Sequence, residues 1–240
     1  MSNLLIKDRD IVVPGEVLAE GMDYLPSGGA FREGEKIIAS QLGLVYLANR
    51  VIKLIPLTGK YTPKRGDTII GRIVEMTFSN WFVDIGCSND GVLSLREVPE
   101  YVEKGADLST YYGFNEYIVA KIYKVTRGSI DLSMKGPGLR KLGTGKLVKV
   151  VSSKVPRIIG KEGSMIKMIK DATDCRITVG QNGIVWIQGE PEDEFLAAET
   201  IKLVERKAHT EGLTDEISKF LETKTKGRKK KPTTDDKGEE

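Results

Sequence analysis

Through the first 136 residues the apolar positions come in short β-rich runs broken by Gly, Pro, Asn and Asp. This is the pattern of strands and turns. Residues 11–13 end in the Pro14-Gly15 turn, and 36–39, 44–47 and 51–55 are further strand runs around a loop at 26–29. No helical spacing appears among them. Residues 1–62 therefore read as a small all-β module, too short to bury a sizeable core alone and expected to lean on a neighbour or a partner. After Tyr61-Thr62-Pro63-Lys64-Arg65-Gly66-Asp67 the strand pattern resumes at 68–77, 81–85, 91–95, 117–125 and 129–134. Five strands with a longer link before the fourth predict a five-stranded Greek-key barrel over 63–136. Lys135-Gly136-Pro137-Gly138 closes it, and 137–146 reads as a linker.

From residue 147 the period changes. A strand at 147–151 leads to a helical turn at 155–159, a glycine loop at 160–163 and a helix at 165–172. Ser164 is the expected cap of that helix, with Met165, Ile166, Met168 and Ile169 as its apolar positions. Strands follow at 176–179 and 184–187, joined by Gly180-Gln181-Asn182-Gly183, whose Asn-Gly step is a strong hairpin signal. A helix at 192–208 places Ala197, Ala198, Ile201, Val204 and Ala208 on one side. Residues 147–212 thus form a third unit, and a last helix at 214–222 falls within a C-terminal segment 213–225. Residues 226–240 carry charge and no apolar side chains, which predicts disorder. No internal repeat is visible.

Composition narrows the function classes. The chain has 240 residues, 40% hydrophobic and 7% aromatic. No apolar run approaches the roughly 18 residues of a membrane span. Leu4-Leu5-Ile6 is too short for a secretory signal. Cys87 and Cys175 stand apart with no CxxC, and His209 is the only histidine. These exclude a zinc cage, a disulfide framework and a His-rich metal site, and they fit a reducing cytoplasmic setting. His209 reads as a helix-end residue, and the basic run within 226–231 as a solvated tail.

The net charge of +3 conceals an uneven distribution. Between Ala120 and Lys170 there are thirteen Lys and Arg, opposed only by Asp131 and Glu162. Such a concentration suits a polyanion. Within it lies Ile158-Ile159-Gly160-Lys161-Glu162-Gly163-Ser164. Two glycines three apart let a backbone approach a ligand without a Cβ in the way. The following helix then presents its first amides, a geometry that favours phosphate. Lys154, Arg157, Lys161 and Lys167 flank the loop as phosphate contacts, while the Glu162 carboxylate opposes one. The loop and its order of strand, helix, GxxG, helix, strand, strand, helix resemble a type I KH domain, which implies a clamp for single-stranded nucleic acid at Gly160 and Gly163.

The barrel resembles an S1-type domain in Gly66-Asp67, Gly71-Arg72-Ile73-Val74, Phe82-Val83-Asp84-Ile85-Gly86 and Gly91-Val92-Leu93. Such barrels stack bases on aromatic faces. Phe82 holds the family's aromatic position. Ser79 and Ser94 replace an aromatic and a histidine, which weakens stacking. Phe78 and Trp81 are either substitutes for the lost stacking or packing residues. Arg96, Lys121, Lys124 and Arg127 add electrostatic contact.

The order of an all-β module, an S1-type barrel and one type I KH domain is similar to that of the RNA-binding cap subunits of the archaeal exosome, with Val13-Pro14-Gly15-Glu16 near the start of the family's N-terminal domain. The resemblance implies a multidomain, mainly β plus α+β protein without catalytic activity or cofactor. It further implies a homotrimer or mixed cap trimer docked through Val13, Pro14, Gly15 and Glu16 on a ring of RNase PH-like subunits, guiding single-stranded RNA into a central pore. An S1/KH transcription or translation factor of NusA-like type, and a purely structural clamp of the ring, are the alternative readings. No HExxH, GxSxG or GxxxxGK[ST] array supports an enzyme.

Overall fold

The alternation of buried and exposed side chains at the front of the chain sorts its strands into two facing sheets. The computed structural model describes residues 3–225 except 58, 104, 209 and 211, so the expectations for His209 and for 226–240 lie outside the described residues. In chain order the front strands are β1 (Asn3–Leu4), β2 (Ile11–Val12), β3 (Val17–Glu20), β4 (Leu25–Ser27), β5 (Ala30–Glu33), β6 (Lys36–Ala39), β7 (Gly43–Ala48) and β8 (Val51–Pro56). One sheet runs β1-β3-β6-β5 and the other β2-β7-β8-β4, with β4 parallel to β8. Leu18, Ile37, Val45, Ile52 and Leu54 fill the space between them. Apolar side chains also remain outside. Ile11 lies opposite Leu44 and Leu44 opposite Ile55, and Ile11, Tyr46 and Ile55 are exposed.

The barrel is formed by β9 (Thr68–Met76), β10 (Asn80–Asp84), β11 (Gly91–Ser94), β12 (Tyr117–Val125) and β13 (Ile130–Ser133). Their order is β13-β11-β10-β9-β12, and β12 pairs with β13 to close the ring of hydrogen bonds. This is the OB-like barrel expected of the sequence. Ile69, Ile73, Trp81, Leu93, Ile118 and Ile122 fill it, and Leu108 and Tyr112, from the long loop before β12, pack onto the same core. The stretch 137–146, read from sequence as a linker, instead carries β14 (Arg140–Lys141), laid antiparallel against β12. Its Leu142 is buried.

The last unit comprises β15 (Lys146–Lys149), α1 (Val155–Ile159), α2 (Ser164–Thr173), β16 (Arg176–Val179), β17 (Ile184–Gln188), α3 (Pro191–Arg206) and α4 (Leu213–Thr225). The antiparallel sheet has the order β15-β17-β16. Val148, Ile177, Val185 and Ile187 point from it into the core shared with Ile158, Ile169 and Ile201. Helix α4 adds Leu213, Ile217 and Leu221 to that core. Ser164 is not the cap: Gly163 occupies that position in a left-handed conformation, and Ser164 is the first helical residue.

The other face of this sheet is not solvated. Trp186 is buried with Ile70, Val119 and Leu142, and Leu147 and Ile184 pack at the margin. The hairpin tip completes the seam with polar contacts. Gln181 donates its amide to the Thr68 carbonyl at 2.8 Å, and the Thr68 amide donates to Gln181 Oε1 at 2.8 Å. Asn182 accepts from the Ile70 amide at 3.2 Å and donates Nδ2 to the Ile70 and Ile85 carbonyls at 2.7 and 3.0 Å. Buried polar groups need such partners. The barrel and the KH unit are thereby held in one orientation. The front module also touches the KH unit, where Ser153 Oγ donates to the Leu57 carbonyl at 3.0 Å.

Candidate nucleic-acid interface

The glycine loop begins where α1 ends, with the Gly160 amide donating to the Pro156 carbonyl at 2.9 Å. Gly160 has φ +78°, and a Cβ there would lie 2.7 Å from the Met165 amide nitrogen and Cβ. The close packing of α1 on α2 therefore dictates this glycine. Gly163 differs. Its φ of +79° favours glycine, yet a Cβ would meet nothing within 4 Å. The loop thus leaves bare backbone open to solvent beside Gly163, at the N-terminal end of the ten-residue α2. Glu162 between them is also left-handed, at φ +53°.

The predicted cations take up unequal positions around this loop. Lys161 and Lys167 are exposed and Lys154 is half-buried. Arg157 is exposed, but its Nη2 donates to the Thr210 carbonyl at 3.0 Å, which orients the guanidinium along the surface. The Glu162 carboxylate shares the exposed face of the loop with Lys161.

On the barrel, the pleat decides which aromatic faces outward. Phe82 is half-buried on the outer face, in register between Glu75 and Val92. Beside it Arg72 pairs with Asp84 at 3.5 Å, and Asn80 lies opposite Ser94. Trp81, one residue earlier, points inward. It is fully buried, meets Tyr112 edge-on at 5.3 Å between centroids, and donates Nε1 to the Tyr112 carbonyl at 3.2 Å. Trp81 is therefore a core residue and not a stacking platform, because strand alternation and its satisfied indole place it there. Phe78 is 97% exposed, in the turn between β9 and β10. Arg96 is exposed in a single turn after β11. Val13, Pro14, Gly15 and Glu16 are exposed as well, and Glu16 Oε2 accepts from the Val13 amide at 2.9 Å.

The basic stretch 120–170 does not form one uniform strip. Lys141 pairs with Glu116 at 2.5 Å, Arg140 lies 5.7 Å over the Trp186 ring, and Lys146 lies 4.9 Å over Phe195. These three already have partners in the chain itself. Lys121, Lys124, Arg127, Lys161 and Lys167 are exposed and in no ion pair among the described residues. Lys121 lies opposite Thr68 in register, next to the seam that Thr68 forms with Gln181.

Sequence reading passed over a groove of about 400 Å³ where the three modules meet. Tyr61, Lys60 and Lys64 form one side, and Pro156, Ile159, Gly160 and Gln181 another. No local signal marks it, since its walls lie nearly a hundred residues apart in the chain. Burial, with a hydrogen bond to Asp67 at 2.6 Å, pushes the Tyr61 phenol well above its ordinary range, so it stays a neutral donor. No cluster of three or more His, Cys, Asp or Glu suited to a metal ion occurs among the described residues. Nor is any helix among them long and apolar enough to cross a membrane.

Comparison with known proteins agrees with this architecture. The sequence matches the N-terminal domain of the exosome RNA binding protein RRP4 over residues 9–58, the RRP4 S1 domain over 60–104 and the KH domain over 146–203. Relatives described as exosome complex component Rrp4 include those of Methanothermobacter thermautotrophicus and Methanothermus fervidus. The first is 43% identical over 92% of this chain and 71% of the relative. The second is 41% identical over 91% and 97%. A crystal structure of an exosome complex RNA-binding protein is 33% identical, with a TM-score of 0.62 over 71% of this chain and all of that one.

Proposed function

The chain belongs to the Rrp4 family of exosome complex components, and on that premise we propose that it is a non-catalytic subunit that binds single-stranded RNA and guides 3′ ends into a degradative ring. In this reading three cap subunits, all copies of this chain or mixed with another cap type, sit on RNase PH-like partners in the cytoplasm. The front module docks through the exposed turn Val13-Pro14-Gly15-Glu16 and the apolar row beside Ile11. The barrel and the KH unit meet the RNA. Phe78 and Phe82 supply aromatic surface. Arg96, Lys121, Lys124 and Arg127 on the barrel supply charge, as do Lys154, Arg157, Lys161 and Lys167 around Gly160 and Gly163. The nucleotide strand is held through its phosphates more than through its bases, which gives affinity with little sequence preference.

The observation that carries this reading is the seam. It holds the exposed cations of the barrel and the glycine loop of the KH unit in one fixed relation, as a strand crossing both requires. A second reading, a structural clamp of the ring, is favoured by the buried Trp81, by serines at positions 79 and 94, and by Glu162 in the loop. The triple variant Lys121→Glu, Lys124→Glu, Lys161→Glu separates them. Its affinity for a labelled oligoribonucleotide is measured by fluorescence anisotropy, and its assembly with ring subunits by native mass spectrometry. Loss of at least tenfold in RNA affinity with intact assembly supports the guide. Unchanged RNA affinity supports the clamp.

A further inference from the structure

We propose that the groove at the three-module junction is itself a nucleotide-binding subsite, in which the connector between the front module and the barrel supplies phosphate contacts to an RNA strand leaving the glycine loop. The inference rests on the RNA-binding reading above and extends it to residues outside the KH and barrel motifs. The groove's 400 Å³ lies within the range of about 300–1,000 Å³ typical of small-ligand sites. One wall is apolar, made by Pro56, Pro156 and Ile159. Ser152, Thr62 and Gln181 line it with polar groups. Gln181 uses Oε1 on the Thr68 amide, and its side-chain Nε2 keeps its two N–H donors.

Charge selects the ligand. Lys60 and Lys64 are exposed and in no ion pair among the described residues. The one carboxylate in the lining, Asp67, is already bound by the Tyr61 hydroxyl at 2.6 Å and the Lys64 amide at 3.3 Å. The groove therefore presents two free ammonium groups above an apolar floor, the combination that holds a phosphate and rests a base. Its position gives the strand a direction. Both Gly160 and Gln181 line it, and Gln181 is bonded to Thr68, which lies opposite Lys121. A strand that passes the glycine loop reaches the barrel cations by crossing this groove.

The full chain is tested with a fluorescein-labelled oligouridylate of about twelve nucleotides over a series of KCl concentrations. The double variant Lys60→Glu, Lys64→Glu is expected to bind at least tenfold more weakly at low salt. Lys60→Gln, Lys64→Gln should lower the slope of log affinity against log salt by about 1.4, two phosphates at roughly 0.7 each for a single strand. Lys7→Glu, on the front module, should match wild type. Crosslinking of wild type with 4-thiouridine-containing RNA should map to 59–64 and 152–160, which keeps the test independent of variant folding. Wild-type affinity and slope in both lysine variants, or crosslinks absent from those segments, would overturn the subsite. If the Lys121, Lys124, Lys161 variant still loses binding in that case, the RNA-binding function survives without it. A wild-type chain that binds no RNA overturns both.

Discussion

Asn182 illustrates how much one side chain can hold. Its amide satisfies the Ile70 amide and the Ile70 and Ile85 carbonyls, all in a buried seam. Asn182→Leu keeps a similar volume but strands those groups, at on the order of 1–3 kcal/mol for each one left without a partner. Urea denaturation should show a correspondingly lower midpoint. The aromatics around β10 differ just as sharply. Trp81→Ala opens a cavity in the barrel and is expected to cost about 3–5 kcal/mol, whereas Phe78→Ala should shift stability by less than about 0.5 kcal/mol. If Phe78 stacks on RNA, its removal lowers affinity alone. The sequence shows that either Trp81 or Phe82 faces inward, because strand side chains alternate. It does not show which, since both are aromatic. The register with β9 and β11, and the Tyr112 carbonyl that receives the indole, make that choice.

At the scale of elements, turn chemistry was legible and its use was not. Asn182-Gly183 announced the hairpin, and β16 and β17 flank it as expected. Nothing local indicated that the tip would dock on the barrel, because Thr68 lies more than a hundred residues away. The conformation makes Gly183→Ala a severe change. Its φ is +84°, and a Cβ would lie 2.2 Å from the Val150 carbonyl oxygen, so loss of folded yield or a large fall in melting temperature is expected. Helix α3 anchors the unit close to this tip, where the Val150 amide donates to the Gly183 carbonyl at 2.8 Å. Glu205 accepts from the Val151 amide at 2.7 Å and from Lys202 Nζ at 2.9 Å. Burial raises its pKa, but the Lys202 and Val151 hydrogen bonds and the Lys202 and Lys154 charges outweigh that, leaving it below the ordinary value. The folded state therefore gains stability above a pH of about 4.3, the ordinary glutamate value, and loses it as the pH falls through the lower folded value. Thermal melts between pH 5 and pH 3 should fall more steeply for wild type than for Glu205→Gln. In the front module, β1, β3, β4 and β5 escaped the sequence reading. They are two to four residues long, and only their sheet partners define them.

For the whole molecule, the apolar half of the seam formed by Trp186, Ile70, Val119 and Leu142 ties two folding units into one. Scanning calorimetry is expected to show barrel and KH unit melting in a single transition, which Asn182→Leu should broaden or split. The segregation of charge between the basic stretch and the acidic remainder was visible from the sequence. Its partition in space was not, because Lys141, Arg140 and Lys146 are engaged by Glu116, Trp186 and Phe195 of the chain itself. RNA affinity should accordingly track the exposed cations without a partner in the chain rather than the total count. The buried hairpin tip has a practical corollary. Surface turns of this size ordinarily accept extra residues without harm, so an engineer seeking a place for an affinity tag or a fluorophore would be drawn to it. An insertion between Gln181 and Asn182 would instead pry two domains apart, and the exposed turn around Gly34 is the safer address.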